Sequence, residues 1–161
     1  MRKINYIFIE SDCPSDDYQS GHNDLSDLRH HFIVNSKGLV INNTDIQYPV
    51  SLIQGPIYDR DKYNKCSIYI RYCGSLKHED FEERAQNQKQ SKNGTQENQA
   101  DITPAQRQLD ALLKHLVQLR KHFTDAKILG LSELNGRELY NKNIIVNDVM
   151  NVLRKELSDL P

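Results

Sequence analysis

Four short runs of β-branched and aromatic residues dominate the first half of the chain: INYIFI (4–9), HHFIVN (30–35), GLVI (38–41) and CSIYIRYC (66–73). Each is bounded by turn residues and has the length of a buried strand. Ser36-Lys37-Gly38 joins the second run to the third as a tight connection, with Gly38 free to adopt a positive φ. The second half has a different pattern. Thr103 is placed as a helix N-cap, Pro104 falls at the first helical position, and Gln106 completes a Thr-x-x-Gln capping box. Leu109, Leu112, Leu113, Leu116, Leu119 and then Phe123 recur at helical spacing, which leaves Arg107, Lys114, Gln118 and Lys121 for water. Lys127-Ile128-Leu129-Gly130 reads as a short strand, and Val146 to Leu157 as a second amphipathic helix through Val149, Met150, Leu153 and Leu157. Strands followed by helices able to cover them predict an α/β fold, a mixed central β-sheet flanked by helices.

A length of 161 residues suits a single domain (1–161) with a substantial core. Residues 82–101 (EERAQNQKQSKNGTQENQAD) offer only alanine as an apolar type, among many Gln, Asn, Lys and Glu. Nothing in that composition offsets the entropy of ordering, so it predicts a mobile polar loop. With 21 basic and 22 acidic residues the net charge is -1, which gives no electrostatic case for nucleic acid or an anionic membrane surface. The apolar stretches fall short of the ~20 residues a membrane helix needs, and a first strand beginning by Ile4 leaves no room for a signal peptide. Cys13, Cys66 and Cys73 are odd in number and lack zinc-type spacing, which argues against a disulfide framework. These features point to a cytoplasmic protein and are equally compatible with release by a phage lysis route.

Four blocks in fixed order carry a resemblance. The first strand ends Glu10-Ser11-Asp12. Then come Arg29-His30-His31-Phe32-Ile33-Val34 and Asn35-Ser36-Lys37-Gly38-Leu39-Val40. The third block is Tyr63-Asn64, Ser67-Ile68-Tyr69-Ile70 and Gly74-Ser75; the fourth is Thr103-Pro104-Ala105-Gln106, leading to Ile128-Leu129-Gly130. Together they resemble the type 2 N-acetylmuramoyl-L-alanine amidases, which include phage lysozyme-type amidases and the peptidoglycan recognition proteins. The corresponding family blocks are a strand ending His-Cys-Ser, Gly-Tyr-His-Phe, Tyr-Asn with Ser-Ile-Gly-Ile/Val and Gly-Gly, and Thr-x-x-Gln with Ile-x-Gly-His. The resemblance covers most of the chain and implies an amidase-like fold.

It also implies a zinc site that this chain does not reproduce. The metal needs three protein ligands and an open position for an acidified water. At the family's ligand positions stand Glu10, Leu131 and, in Lys142-Asn143-Ile144-Ile145, Ile144. Two of the three are hydrocarbon, so the resemblance implies that zinc has been lost and no metal or other cofactor is expected. The family tyrosine that polarises the substrate carbonyl corresponds to His30, while Lys142 matches a lysine that some members use at the oxyanion. Tyr69 replaces a glycine. The first helix of the family shrinks to a short turn around Asn23 to Leu28. Residues implied to line the remaining groove are His31, Tyr63, Asn64, Tyr69, Arg71 and Lys142.

Glu10, His22, His30, His31, Asp45, Asp59, His78 and Glu133 are the donors from which a replacement metal site would have to be built. Because neighbouring strand residues face opposite ways, at most one of His30 and His31 is expected at any one site. His115 and His122 read as ordinary helix residues. No serine stands in a nucleophile elbow, no glycine-rich phosphate loop is present, and Cys13 lacks a context that activates a thiol. The leading expectation is a catalytically degenerate amidase-like domain that binds a peptidoglycan fragment or another small ligand. The alternatives are an active amidase with a rebuilt metal site, cleaving between N-acetylmuramic acid and L-alanine, and a protein-binding inhibitor or regulator. No nucleic-acid or membrane partner is expected, and the oligomeric state is open.

Overall fold

The computed structural model describes residues 2–11, 30–50, 60–92, 102–133 and 147–161. Among these residues five strands form one sheet: β1 (Tyr6–Ser11), β2 (Phe32–Val34), β3 (Val40–Asn42), β4 (Ser67–Tyr72) and β5 (Lys127–Gly130). Their order is β3-β2-β4-β1-β5. β1 pairs in parallel with β4 and with β5, β2 is parallel to β4, and β3 alone runs antiparallel, against β2. The sheet is therefore mixed, as the sequence pattern predicts.

Its two central strands explain their own composition. β4 is buried at all six positions, the condition in which an unbroken Ile/Tyr run replaces alternation. One face carries Ile7 and Ile9 of β1, Ile68, Ile70 and Tyr72 of β4, and Phe32 and Val34 of β2. That face is covered by α3 (Pro104–His122) and α4 (Asn147–Asp159). The expected leucines Leu109, Leu112, Leu113, Leu116 and Leu119 lie in this core with Val149, Met150, Leu153 and Leu157, each burial stabilising by about 1.5–3 kcal/mol. Arg120 ties the two helices by donating to the carbonyls of Leu157, at 2.5 Å, and Leu160, at 3.0 Å.

The β2–β3 connection follows the sequence reading closely. Asn35 Oδ1 accepts from the backbone N–H groups of Lys37 and Leu39, and Gly38 has φ of 82°. A side chain at Gly38 would also stand 3.0 Å from the Arg107 carbonyl oxygen on α3, so the glycine serves both the turn and a close approach.

Two expectations are corrected. Residues 82–92, assigned to a polar loop, belong instead to helix α2 (His78–Lys92); residues 93–101 lie outside the described residues. The positions of α2 turned inward, Phe81, Arg84 and Asn87, have helical spacing, but two of the three are polar, so no apolar stripe announces them. At its start Asp80 accepts from the backbone N–H of Lys77 at 3.1 Å, a capping contact. The second correction concerns Gln106. Thr103 Oγ1 does accept from the Gln106 N–H at 3.3 Å, but the Gln106 side chain does not close the box. It is buried and turned toward α2, where it bonds Glu83 and Asn87. A short helix that the sequence reading leaves unassigned, α1 (Arg60–Lys65), precedes β4. Among the described residues no helix is long and apolar enough to cross a membrane.

Candidate functional site

The face of the sheet away from α3 and α4 holds a second, smaller cluster. Phe8, Tyr69 and Val50 are buried in it, with Tyr6, Tyr63, Leu129 and Leu131 packed against them. Tyr6 stacks on Phe8 with ring centroids 5.6 Å apart, Phe8 on Tyr69 at 5.4 Å, and Tyr69 on His31 at 6.2 Å. Tyr63 of α1 meets Tyr6 and Phe8 edge-on at 5.3 and 5.9 Å. Strand alternation puts Glu10 and Arg71 on this same face, next beyond Phe8 and Tyr69 toward the strand ends. The two are register partners across β1 and β4. All four parallel strands end at this edge, where open α/β sheets hold their ligands.

At that edge Glu10 Oε2 lies 2.6 Å from His30 Nε2. His30 is only 1% exposed, and Nδ1, its other nitrogen, is buried without a hydrogen-bond partner. Its carbonyl accepts from Asn43 Nδ2 at 3.0 Å, so the loop after β3 fixes the backbone on which the imidazole sits. Arg71, also buried, stands between Glu10 on β1 and Ile33 on β2 in the register of the sheet. Next to Glu10, Ser11 Oγ donates to the Gly74 carbonyl at 2.6 Å and accepts from the Leu76 N–H at 3.1 Å. The ends of β1 and β4 are thereby tied together.

His31 is differently employed. Its Nδ1 accepts from the backbone N–H of Tyr69 at 3.0 Å, so Nε2 carries the proton and donates to the Tyr48 carbonyl at 2.8 Å. Burial pushes its pKa down to about 4; the Tyr48 carbonyl draws it partly back, and the Arg2 charge lowers it further. Both nitrogens serve the fold, which makes His31 a positioning residue for the start of β2. Burial likewise raises the Tyr69 phenol above the ordinary tyrosine range, and its hydroxyl donates to Asn64 Oδ1 at 2.9 Å. Tyr63, Asn64, Tyr69 and His31, all expected in the groove lining, thus meet one another in a packed cluster. Glu10 and Arg71 lie toward the C-terminal ends of β1 and β4, and the His30 side chain, from the residue two before β2, reaches Glu10.

Leu131 follows β5 in a single 3₁₀ turn (Leu131–Glu133) and packs into the aromatic cluster. The turn is pinned by Glu133, whose Oε1 accepts from the Gly130 N–H at 2.8 Å and whose carboxylate takes two bonds from Arg154 at 2.7 and 3.1 Å. Lys142 and Ile144 lie outside the described residues, as do Cys13, His22, Asp59 and the turn expected at 23–28. Among the described residues no three His, Cys, Asp or Glu side chains are grouped to hold a metal ion. His30 and His31, of which at most one is expected at any one site, engage different partners. β2 begins at Phe32, so strand alternation does not govern the pair; His30 reaches Glu10 while His31 reaches Tyr69.

Sequence reasoning misses Arg2. Its guanidinium donates to three carbonyls, those of Ile46 at 2.7 Å, Lys65 at 2.8 Å and Ser67 at 2.7 Å, and lies against His31 Nε2. It thereby joins the loop after β3, the end of α1 and the start of β4. A lone arginine before the first strand gives no sequence signal of such a role, because the three carbonyls meet only in the fold. No known family model matches the chain, and no curated protein matches it in sequence.

Proposed function

We propose that the chain is a ligand-binding domain on an amidase-like scaffold, which takes a muramyl peptide at the C-terminal edge of its parallel strands without hydrolysing it. The observation that carries this reading is the 2.6 Å bond between Glu10 and His30. The carboxylate at the position of the family's first zinc ligand is engaged by the imidazole at the position of the family's carbonyl-polarising tyrosine. Two positions that serve chemistry in an amidase here satisfy each other. The seating of Leu131 in the aromatic cluster supports the same reading, since a hydrocarbon side chain donates nothing to a metal. Arg71, buried at the same strand ends, supplies a cation of the kind that recognises a peptide carboxylate.

The test is calorimetric titration of the protein with muramyl dipeptide, with and without added zinc, alongside product analysis on purified peptidoglycan. Saturable binding indifferent to zinc, with no L-alanine-terminated peptide released, is the expected result. Zinc-dependent release of such peptides would overturn the reading in favour of an active amidase.

A further inference from the structure

Among the described residues, α2 is attached differently from α3 and α4, which bury leucine-rich faces. Its apolar anchor is Phe81, buried in the main core near the helix start, with Leu76 just before the helix. Beyond Phe81, the described side chains of α2 meet α3 and α4 through polar groups. Arg84 Nε donates to Asp110 Oδ1 of α3 at 2.7 Å, and Arg84 Nη1 to Glu156 Oε2 of α4 at 3.0 Å. Glu83 and Asn87 bond the buried Gln106 side chain of α3. The arginine side chain is 11% exposed, whereas its carboxylate partners are 37% and 30% exposed.

We propose that the part of α2 beyond Phe81 is a salt-dependent latch, held shut by Arg84 between α3 and α4 and able to open while the sheet stays folded. Burying apolar area does not depend on ionic strength in this way, whereas the partly exposed carboxylates of Asp110 and Glu156 reach solvent whose screening length falls from about 30 Å at 0.01 M to about 3 Å at 1 M salt, the mostly buried Arg84 end being screened less. Local opening follows the elements with few buried apolar contacts, and 82–89 has that character. The hinge is fixed by Phe81 in the core and by the Asp80 cap on Lys77. Opening releases Asp110 and Glu156 from their arginine and bares Gln106, so the latch governs access to an acidic, hydrogen-bonding strip on α3 and α4. This inference rests on the helix packing alone and is independent of the reading of the strand-end site.

Hydrogen exchange of the intact protein, followed at about 0.02 M and about 0.5 M sodium chloride, tests it. The expected result is protection of amides in 82–89 at low salt and exchange at least about tenfold faster at high salt, with β4 and the centre of α3 changing less than about twofold. Arg84→Met should give the fast exchange at both salt concentrations, and Arg84→Lys should restore part of the protection. The wild-type comparison decides the matter even if a variant fails to fold. Equal protection at both salts would overturn the latch, and so would an α2 that is unprotected already at low salt.

Discussion

Glu10 Oε2 and His30 Nε2 stand 2.6 Å apart at the end of β1, with the imidazole almost wholly enclosed. A buried polar ring depends on its partner, and removing only one side leaves the other unsatisfied. Glu10→Leu is therefore expected to cost about 1–3 kcal/mol in urea unfolding. The double variant Glu10→Leu with His30→Phe should cost less than the sum of the two single changes by about 1 kcal/mol or more, because neither partner is then stranded. Strict additivity would show that Glu10 and His30 do not stabilise each other.

His31 gives the fold a pH dependence whose sign is fixed by its bonding. Its pKa of about 4 in the native state lies below the ordinary value near 6.5. Above about 6.5 the ring is neutral in both native and unfolded chains, and its contribution is fully present. As pH falls from about 6.5 to about 4, the unfolded chain takes up a proton that the native chain refuses, and stability is lost by on the order of 3 kcal/mol. His31→Gln should be less stable at neutral pH and should lack most of this slope. Urea midpoints collected between pH 7 and pH 4.5 read the effect directly. A variant whose slope matches the wild type would place the titration elsewhere.

Gly38 and Gly74, both with positive φ, separate conformational strain from crowding. Gly38 has φ of 82° and a backbone oxygen 3.0 Å from any added Cβ, whereas Gly74 has φ of 106° and open space. Gly74→Ala is expected to cost about 1–2 kcal/mol from backbone strain alone. Gly38→Ala must cost more, since β2–β3 and α3 have to separate as well. Thermal midpoints of the two variants in the same buffer test the order, and the reverse order would contradict the turn geometry.

Core leucines calibrate the helix side. Leu112→Ala, at a fully buried position of α3, is expected to destabilise by about 2–5 kcal/mol. Lys114→Ala, on the exposed face of the same helix, should change stability by less than about 0.5 kcal/mol. A comparable loss at both positions would mean that α3 is oriented differently on the sheet.

What was legible in the chain follows from where the information is local. The strands at Tyr6–Ser11 and Ser67–Tyr72, the Gly38 turn and the capped helix at Pro104 each announce themselves through neighbours in sequence, and each stands where the pattern puts it. α2 did not, because Arg84 and Asn87 occupy its inward positions and their partners Asp110, Glu156 and Gln106 are distant in sequence. The site was legible in part for the same reason. Glu10 and His30 are visible as polar residues at strand ends, but their pairing, the double anchoring of His31 and the three-carbonyl grip of Arg2 exist only once the sheet order is known. His31, Tyr63 and Tyr69 read as groove residues because aromatic and imidazole side chains suit both binding and packing; in the fold His31 and Tyr69 are buried and Tyr63 is half-buried.

We propose that the strand-end site binds a muramyl peptide without cleaving it. The most direct measurement is a titration of the ¹⁵N-labelled protein with muramyl dipeptide, with and without zinc, read by amide shifts and by chromatography of the ligand afterwards. The account predicts shifts concentrated at Glu10, Ser11, His30 and Arg71, alike in both series, with the ligand recovered intact. Ligand recovered as free muramic acid derivative and dipeptide in the zinc series, or shifts confined to residues remote from that edge, would contradict it.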